Sequence, residues 1–170
     1  SVHMLKWIGI TQAGLAGDTR FDRVVQLPQQ HQPLPFIASF VGGRETFVAG
    51  SSWAPDEEML ASLVDSYEGW KFVVAPHEIH TSHLEELGRR FPQALFYSRR
   101  ESYSAEDVAS AQVLIIDNIG MLSALYHYGD ICYIGGGFGA GIHNTLEAAT
   151  YGKPVLFGPR YEKFQEATDL

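Results

Sequence analysis

Sulfur, long apolar runs and concentrated positive charge are all scarce in this 170-residue sequence, and each shortage removes a class of protein. The single cysteine, Cys132, has no partner for an intramolecular disulfide, and its place inside an apolar segment marks it as core filling. No stretch approaches the ~20 apolar residues that a membrane-spanning helix needs. The N-terminus lacks the basic region and apolar core of a secretory signal, so the chain itself is expected to be soluble. Twelve basic residues against 20 acidic ones leave a formal net charge of −8, with no Lys/Arg run to offset it locally. Such a chain repels a phosphate backbone, and nucleic acid is not an expected partner. Internal repeats and low-complexity tracts are absent. So is any His/Asp/Glu group with metal-ligand spacing: His77, Glu78 and His80 come nearest, but they lie in a loop where a capping or cleft-lining role is expected, and no metal is called for.

What is present is enough apolar material for one well-buried domain, 45% of residues hydrophobic and 19% charged. Short runs rich in Val, Ile and Phe recur at 46–51, 71–75, 94–97, 113–117, 131–135 and 154–158. Between them, helical spacing appears at 56–67, 80–91, 106–110, 120–128 and 145–151. The runs are apolar throughout rather than alternating, which is expected when both faces of a sheet are covered. This βαβαβ order predicts a Rossmann-like open parallel sheet with helices on both faces. Ser51 to Glu58 carries hydroxyls, Pro55 and three acids where a helix start favours them. Pro28 and the stretch His31–Pro35 form a polar, proline-bearing break that reads as a linker. Ser1 to Met4 looks like a scar of expression, Leu5–Ile10 like the tail of a preceding unit, and the helical pattern from Glu162 stops without a cap. The expectation is therefore a piece of a longer protein, divided as 1–14, a linking segment 15–35, and a binding lobe 36–170.

Ligands of open parallel sheets collect at the carboxyl ends of the strands. There the sequence places Ser51 and Ser52, then His77, then Asp117, then a loop with five glycines within seven residues (135–141). That loop runs into His143, Asn144, Thr145, Leu146 and Glu147. Gly135, Gly136 and Gly137 allow close approach and positive φ, so their N–H groups can face an anion, and a helix starting near Asn144 aims its dipole at the same place. Glu147 would accept hydrogen bonds from ribose hydroxyls. The alternative is a plain strand-to-helix turn with Glu147 complementing the dipole. The loop is neither GxGxxG followed by a distant acid nor a GKS/T phosphate loop, so NAD and ATP are not indicated.

Six blocks in order carry a resemblance: GDTRFDR (17–23), AGSSW (49–53), APHE (75–78), DNIG (117–120), the glycine loop into HNTLE (143–147), and GKPVLFGP (152–159). Together they resemble the C-terminal half of the 3-deoxy-D-manno-octulosonic acid (Kdo) transferases over about residues 15–166. That resemblance implies the C-terminal lobe of a GT-B glycosyltransferase, binding the donor CMP-Kdo for lipopolysaccharide synthesis without a cofactor. A separate N-terminal lobe would bind lipid IVA, supply the general base and touch the cytoplasmic face of the bacterial inner membrane. The fragment alone is then expected to be inactive. By the same resemblance the glycine loop receives the phosphate of CMP, Asn144 and Glu147 lie at the nucleotide end, Ser51 and Ser52 line the cleft near Kdo, and Arg20 faces the donor's carboxylate or phosphate.

The chain departs from the family pattern at His77, where an arginine is common, and at Met121, where an acid is common. His77 can still donate a hydrogen bond, and Met121 is expected to pack in the core. Asp117 reads equally as a helix N-cap, and Arg20 as a surface ion pair with Asp18 or Asp22. A UDP-sugar-dependent GT-B transferase or epimerase lobe, or a non-catalytic nucleotide- or sugar-binding module, would fit the same glycine loop and acid.

Overall fold

The computed structural model describes residues 2–14, 19–29, 32–164 and 166–169. Gly17 and Asp18 of the first block, His31 of the linker and part of the 15–35 segment lie outside the described residues.

The apolar runs form a six-stranded parallel sheet in the order β3-β4-β2-β1-β5-β6. The strands are β1 (Thr46–Ser52), β2 (Lys71–Pro76), β3 (Leu95–Phe96), β4 (Val113–Ile115), β5 (Ile131–Ile134) and β6 (Val155–Phe157). Helices α1 (Val2–Trp7), α2 (Thr19–Val24) and α3 (Pro35–Val41) precede the sheet, and α4 (Ala54–Ser66), α5 (Thr81–Arg90), α6 (Ala105–Ser110), α7 (Leu122–Leu125), α8 (Leu146–Ala149) and α9 (Glu166–Asp169) follow its strands. Successive residues of a strand point to opposite faces, so β1 sends Val48 into one core layer and Phe47 and Ala49 into the other. Ile37 and Phe40 of α3, Val108 of α6 and Ala148 of α8 cover the first face; Leu60 of α4 and Leu87 of α5 cover the second. Two covered faces explain why the strands carry no polar alternation. Cys132 is fully buried in the first layer, and burial pushes its thiol up to about 11, so it stays a neutral packing group. Among the described residues no helix is long and apolar enough to cross a membrane.

The chain order fixes where a ligand belongs. After β1 the chain builds β2, β3 and β4 to one side, then crosses to the other side of β1 for β5 and β6. The strand order reverses between β1 and β5, and open parallel sheets take their ligands at such a reversal, at the carboxyl ends of the strands.

One buried cation on the opposite, amino-terminal side of the sheet was not anticipated. Lys71, 1% exposed, opens β2 and donates from Nζ to the carbonyls of Ala109 at 2.9 Å and Val108 at 3.4 Å, and to that of Ala111. It thereby closes the carboxyl end of α6, whose last carbonyls have no partner inside the helix. Its ammonium also sits 4.6 Å from the centre of the Phe40 ring. Burial, then the nearby Arg44 charge, lowers its pKa from 10.5 to about 8. Below 8 both folded and unfolded chains carry this charge; between 8 and 10.5 only the unfolded chain still binds the proton, so folding gains stability as pH rises through that window. The urea midpoint of the natural chain should therefore rise between pH 8 and 9.5 relative to that of Lys71→Met, and parallel midpoints across that range would refute this account.

Candidate functional site

The candidate site is built from the end of β1, the start of α4 and the loop after β5. At the end of β1 the ladder with β2 slips by one residue between Gly50 and Ser52, leaving Ser51 as a bulge with φ of 53°. Ser51 is half-buried, and among the described residues its hydroxyl makes no hydrogen bond. Beside it the carbonyl of Ser51 crowds Gly135: a Cβ there would stand 2.3 Å from that oxygen. Gly136 takes φ of 92°, and the loop it opens lies backbone to backbone against the loop after β6, with the ideal Cβ of Gly137 only 2.5 Å from the Cα of Gly158.

A buried carboxylate joins these parts. Asp56, 1% exposed in the first turn of α4, accepts from the amide of Trp53 at 2.9 Å, from the amide of Gly136 at 2.9 Å and from the hydroxyl of Tyr133 at 2.5 Å. Three donors offset the cost of burying this group. Burial, together with the hydrogen bond to Asp56, pushes the pKa of Tyr133 well up, so its proton stays available to the carboxylate. Next to it Glu57, 2% exposed, accepts from the Ser52 hydroxyl at 3.0 Å and lies 3.0 Å from Nε2 of His83 on α5.

Above this layer three rings pack together. Nε1 of Trp53 donates to Nε2 of His143 at 3.4 Å, which sets the two edge to edge. The His77 ring lies across both, with centroids 4.6 Å from Trp53 and 4.4 Å from His143, each at 24°. Burial, then the neighbouring His77, lowers the pKa of His143, which keeps Nε2 free to accept. The ends of β1 and β2 and the far limb of the glycine loop are thus stacked into one wall.

The far limb continues to the nucleotide-end residues expected from the sequence. Asn144 Oδ1 accepts from the amide of Leu146 at 3.1 Å, and its Nδ2 donates to Oε1 of Glu147 at 3.5 Å, so the two side chains do come together. Tyr126 closes the floor: its hydroxyl lies where a Cβ on Gly50 would be, 2.1 Å away. Burial, then Cys132 and Glu147, pushes the Tyr126 pKa far up, so it remains a neutral phenol.

Several expectations change. The amides of Gly135 and Gly136 do not face outward: they donate to the carbonyl of Gly50 at 2.8 Å and to Asp56, because the crowded end of β1 and the α4 carboxylate reach them first. The helix carrying Glu147 is a single turn, α8, and a short helix has little dipole to offer. Ser52 turns inward to Glu57. Arg20 forms a two-pronged pair with Glu166 of α9 at 3.0 and 3.3 Å, where the carboxylate, 3% exposed, needs a cation; of the two acids expected as its partner, Asp18 lies outside the described residues. Asp117 stands at the end of β4, two strands from β1, and accepts from the amide and hydroxyl of Ser98 at 2.7 and 2.5 Å. It caps a neighbouring turn, and α7 begins without it. His80 caps α5 by accepting from the amide of His83 at 3.2 Å, and Met121 packs against the core, both as expected. Among the described residues no group of three His, Cys, Asp or Glu side chains is placed to hold a metal ion.

Asp56 and Tyr126 were not expected as site residues, and Trp53 and His143 entered only as members of the AGSSW and HNTLE blocks. Asp56 gave a signal as an acid three positions beyond a helix boundary, but that signal also fits an ordinary cap.

No family model matches the chain. It is similar to the 3-deoxy-D-manno-octulosonic acid transferase of Rickettsia felis, 24% identical over 160 residues, covering 92% of this chain and 34% of the relative. It is also similar to that of Aquifex aeolicus, 29% identical over 133 residues, covering 74% of this chain and 35% of the relative. The chain thus spans about a third of the length of these curated relatives. Its fold matches the crystal structure of the C-terminal CMP-Kdo binding domain of WaaA from Acinetobacter baumannii with a TM-score of 0.62 and 26% identity, over 88% of this chain and 75% of that one. In sequence the chain is similar to Kdo transferases, and in fold it is similar to the C-terminal domain of one of them.

Proposed function

We propose that this chain is the donor-binding lobe of a GT-B glycosyltransferase that moves Kdo from CMP-Kdo to lipid IVA in lipopolysaccharide synthesis. The observation that supports it best is the reversal of strand order between β1 and β5, with Asn144 and Glu147 paired in the segment that follows β5, in a fold similar to a CMP-Kdo binding domain. A second lobe outside this chain would supply the acceptor groove, the general base and contact with the cytoplasmic face of the inner membrane.

In this reading the glycine loop acts by shape. Its missing side chains make room for the nucleotide, while Asp56 holds its entry fixed. Glu147 accepts from the ribose hydroxyls, with Asn144 orienting its carboxylate. Ser51 presents its hydroxyl toward the sugar acid, and His77, one face packed on Trp53 and His143, flanks the mouth. CMP is already a good leaving group, so what the lobe must add is stabilisation of the charge that gathers on the departing phosphate. No metal or other cofactor is invoked.

Calorimetric titration of the chain with CMP, CTP and UDP should show preference for CMP. Tighter binding of UDP would transfer the lobe to UDP-sugar chemistry, and a folded sample that binds no nucleotide would make it a non-catalytic module. The isolated chain should give no transfer from CMP-Kdo to lipid IVA, and measurable turnover would overturn the two-lobe reading. Glu147→Ala should weaken CMP binding by roughly 1–3 kcal/mol through loss of charged hydrogen bonds to ribose; unchanged affinity in a normally folded variant would return Glu147 to a local role.

A further inference from the structure

The glycine loop's entry amides are already engaged, which leaves room for cations beside the loop to meet part of the donor's negative charge. Besides Gly135 and Gly136, the amides of Gly139 and Gly141 donate to the carbonyl of Gly136 at 2.9 and 3.1 Å, and that of Ile142 to the carbonyl of Arg160 at 3.0 Å. Folded this way, the loop turns carbonyl oxygens outward at its tip, and two cations sit on them. Arg160 Nη1 donates to the carbonyl of Gly139 at 2.6 Å, and Lys163 Nζ to that of Ala140 at 3.2 Å.

The base of Arg160 is fixed while its head is exposed. Its amide donates to the carbonyl of Gly137 at 3.0 Å and its carbonyl accepts from Ile142, so its backbone spans the throat of the loop just after β6. Both cationic side chains are exposed, where a hydrogen bond to a neutral carbonyl is weak and exchanges readily with water. A phosphate oxygen is a stronger partner for either, and arginine meets it with two parallel N–H groups. Arg20 is paired to the buried Glu166, and Arg99 and Arg100 lie over Phe96 and Tyr97 beside β3, at the opposite edge of the sheet from β6.

We propose that Arg160 and Lys163 are the phosphate-binding cations of this lobe, parked on the carbonyls of Gly139 and Ala140 and exchanging them for the donor's phosphate. This rests on the donor-lobe reading. It gives the crevice a charge that grows in value during reaction, because a phosphodiester carries one negative charge and the departing CMP carries close to two.

Calorimetry with CMP and with cytidine, which lacks the phosphate, separates the possibilities. The natural chain should bind CMP more tightly than cytidine, and more weakly as NaCl is raised. In Arg160→Gln/Lys163→Gln, CMP affinity should fall roughly tenfold or more toward that of cytidine and lose most of its salt dependence, while cytidine binding stays unchanged. Thermal unfolding checks that these exposed substitutions leave the fold intact. CMP affinity within twofold of the natural chain, or equal losses for CMP and cytidine, would overturn the proposal while leaving the donor-lobe reading standing. Failure of the natural chain to bind either compound would defeat both.

Discussion

The crevice depends on one carboxylate taken almost wholly out of water. Asp56 belongs to the helix after β1, yet its donors come from the turn before that helix, from a strand on the other side of the reversal point and from the loop that strand releases. A buried acid that finds three donors is stable only while all three stay in place, so the group couples parts of the chain 80 residues apart. The crowding of Ser51 against Gly135 and the edge-to-edge contact of Trp53 with His143 then follow as consequences of the same closure. Without Asp56 the entry of the glycine loop would keep the bond from the Gly135 amide to the Gly50 carbonyl but lose the one that holds Gly136.

The sequence makes the scaffold legible because two covered faces force each strand to be apolar throughout, and that pattern is visible from Thr46 to Phe157 within a residue or two of the observed strands. Strand order is not visible in it: β5 returns beside β1 through pairing that no local pattern encodes. Local geometry was readable where the residue type is unusual, as in the glycines that allow close backbone approach and the adjacent Asn144 and Glu147, whose side chains meet. It was misread where one residue type serves two purposes. Ser52, Asp117 and Arg20 sit in blocks shared with a family of enzymes, but their polar atoms are claimed by Glu57, Ser98 and Glu166, contacts made across 5, 19 and 146 residues. A hydroxyl, a carboxylate or a guanidinium carries no mark in the sequence of which partner will reach it first.

Charge is distributed to match this division of labour. The chain as a whole is acidic, yet two of its acids, Asp56 and Glu57, are withdrawn into the fold directly beneath the crevice, where their oxygens are occupied by protein donors. The cations Arg160 and Lys163 remain on the outside of the loop. An anionic ligand approaching that edge therefore meets exposed positive groups first, in a protein whose net charge would otherwise turn it away.

The contact between Gly137 and Gly158 limits how this lobe can vary. Each glycine occupies the space into which a side chain on the other would grow, with separations of 2.5 to 3.1 Å between an added Cβ and the facing backbone. Most packed pairs can drift, a larger residue on one side being balanced by a smaller one opposite. Here neither partner has anything left to remove, so no compensating exchange exists and the two positions are locked as a pair. Diversification toward a different donor has to proceed through the residues around that contact, with the meeting point of the two loops held constant.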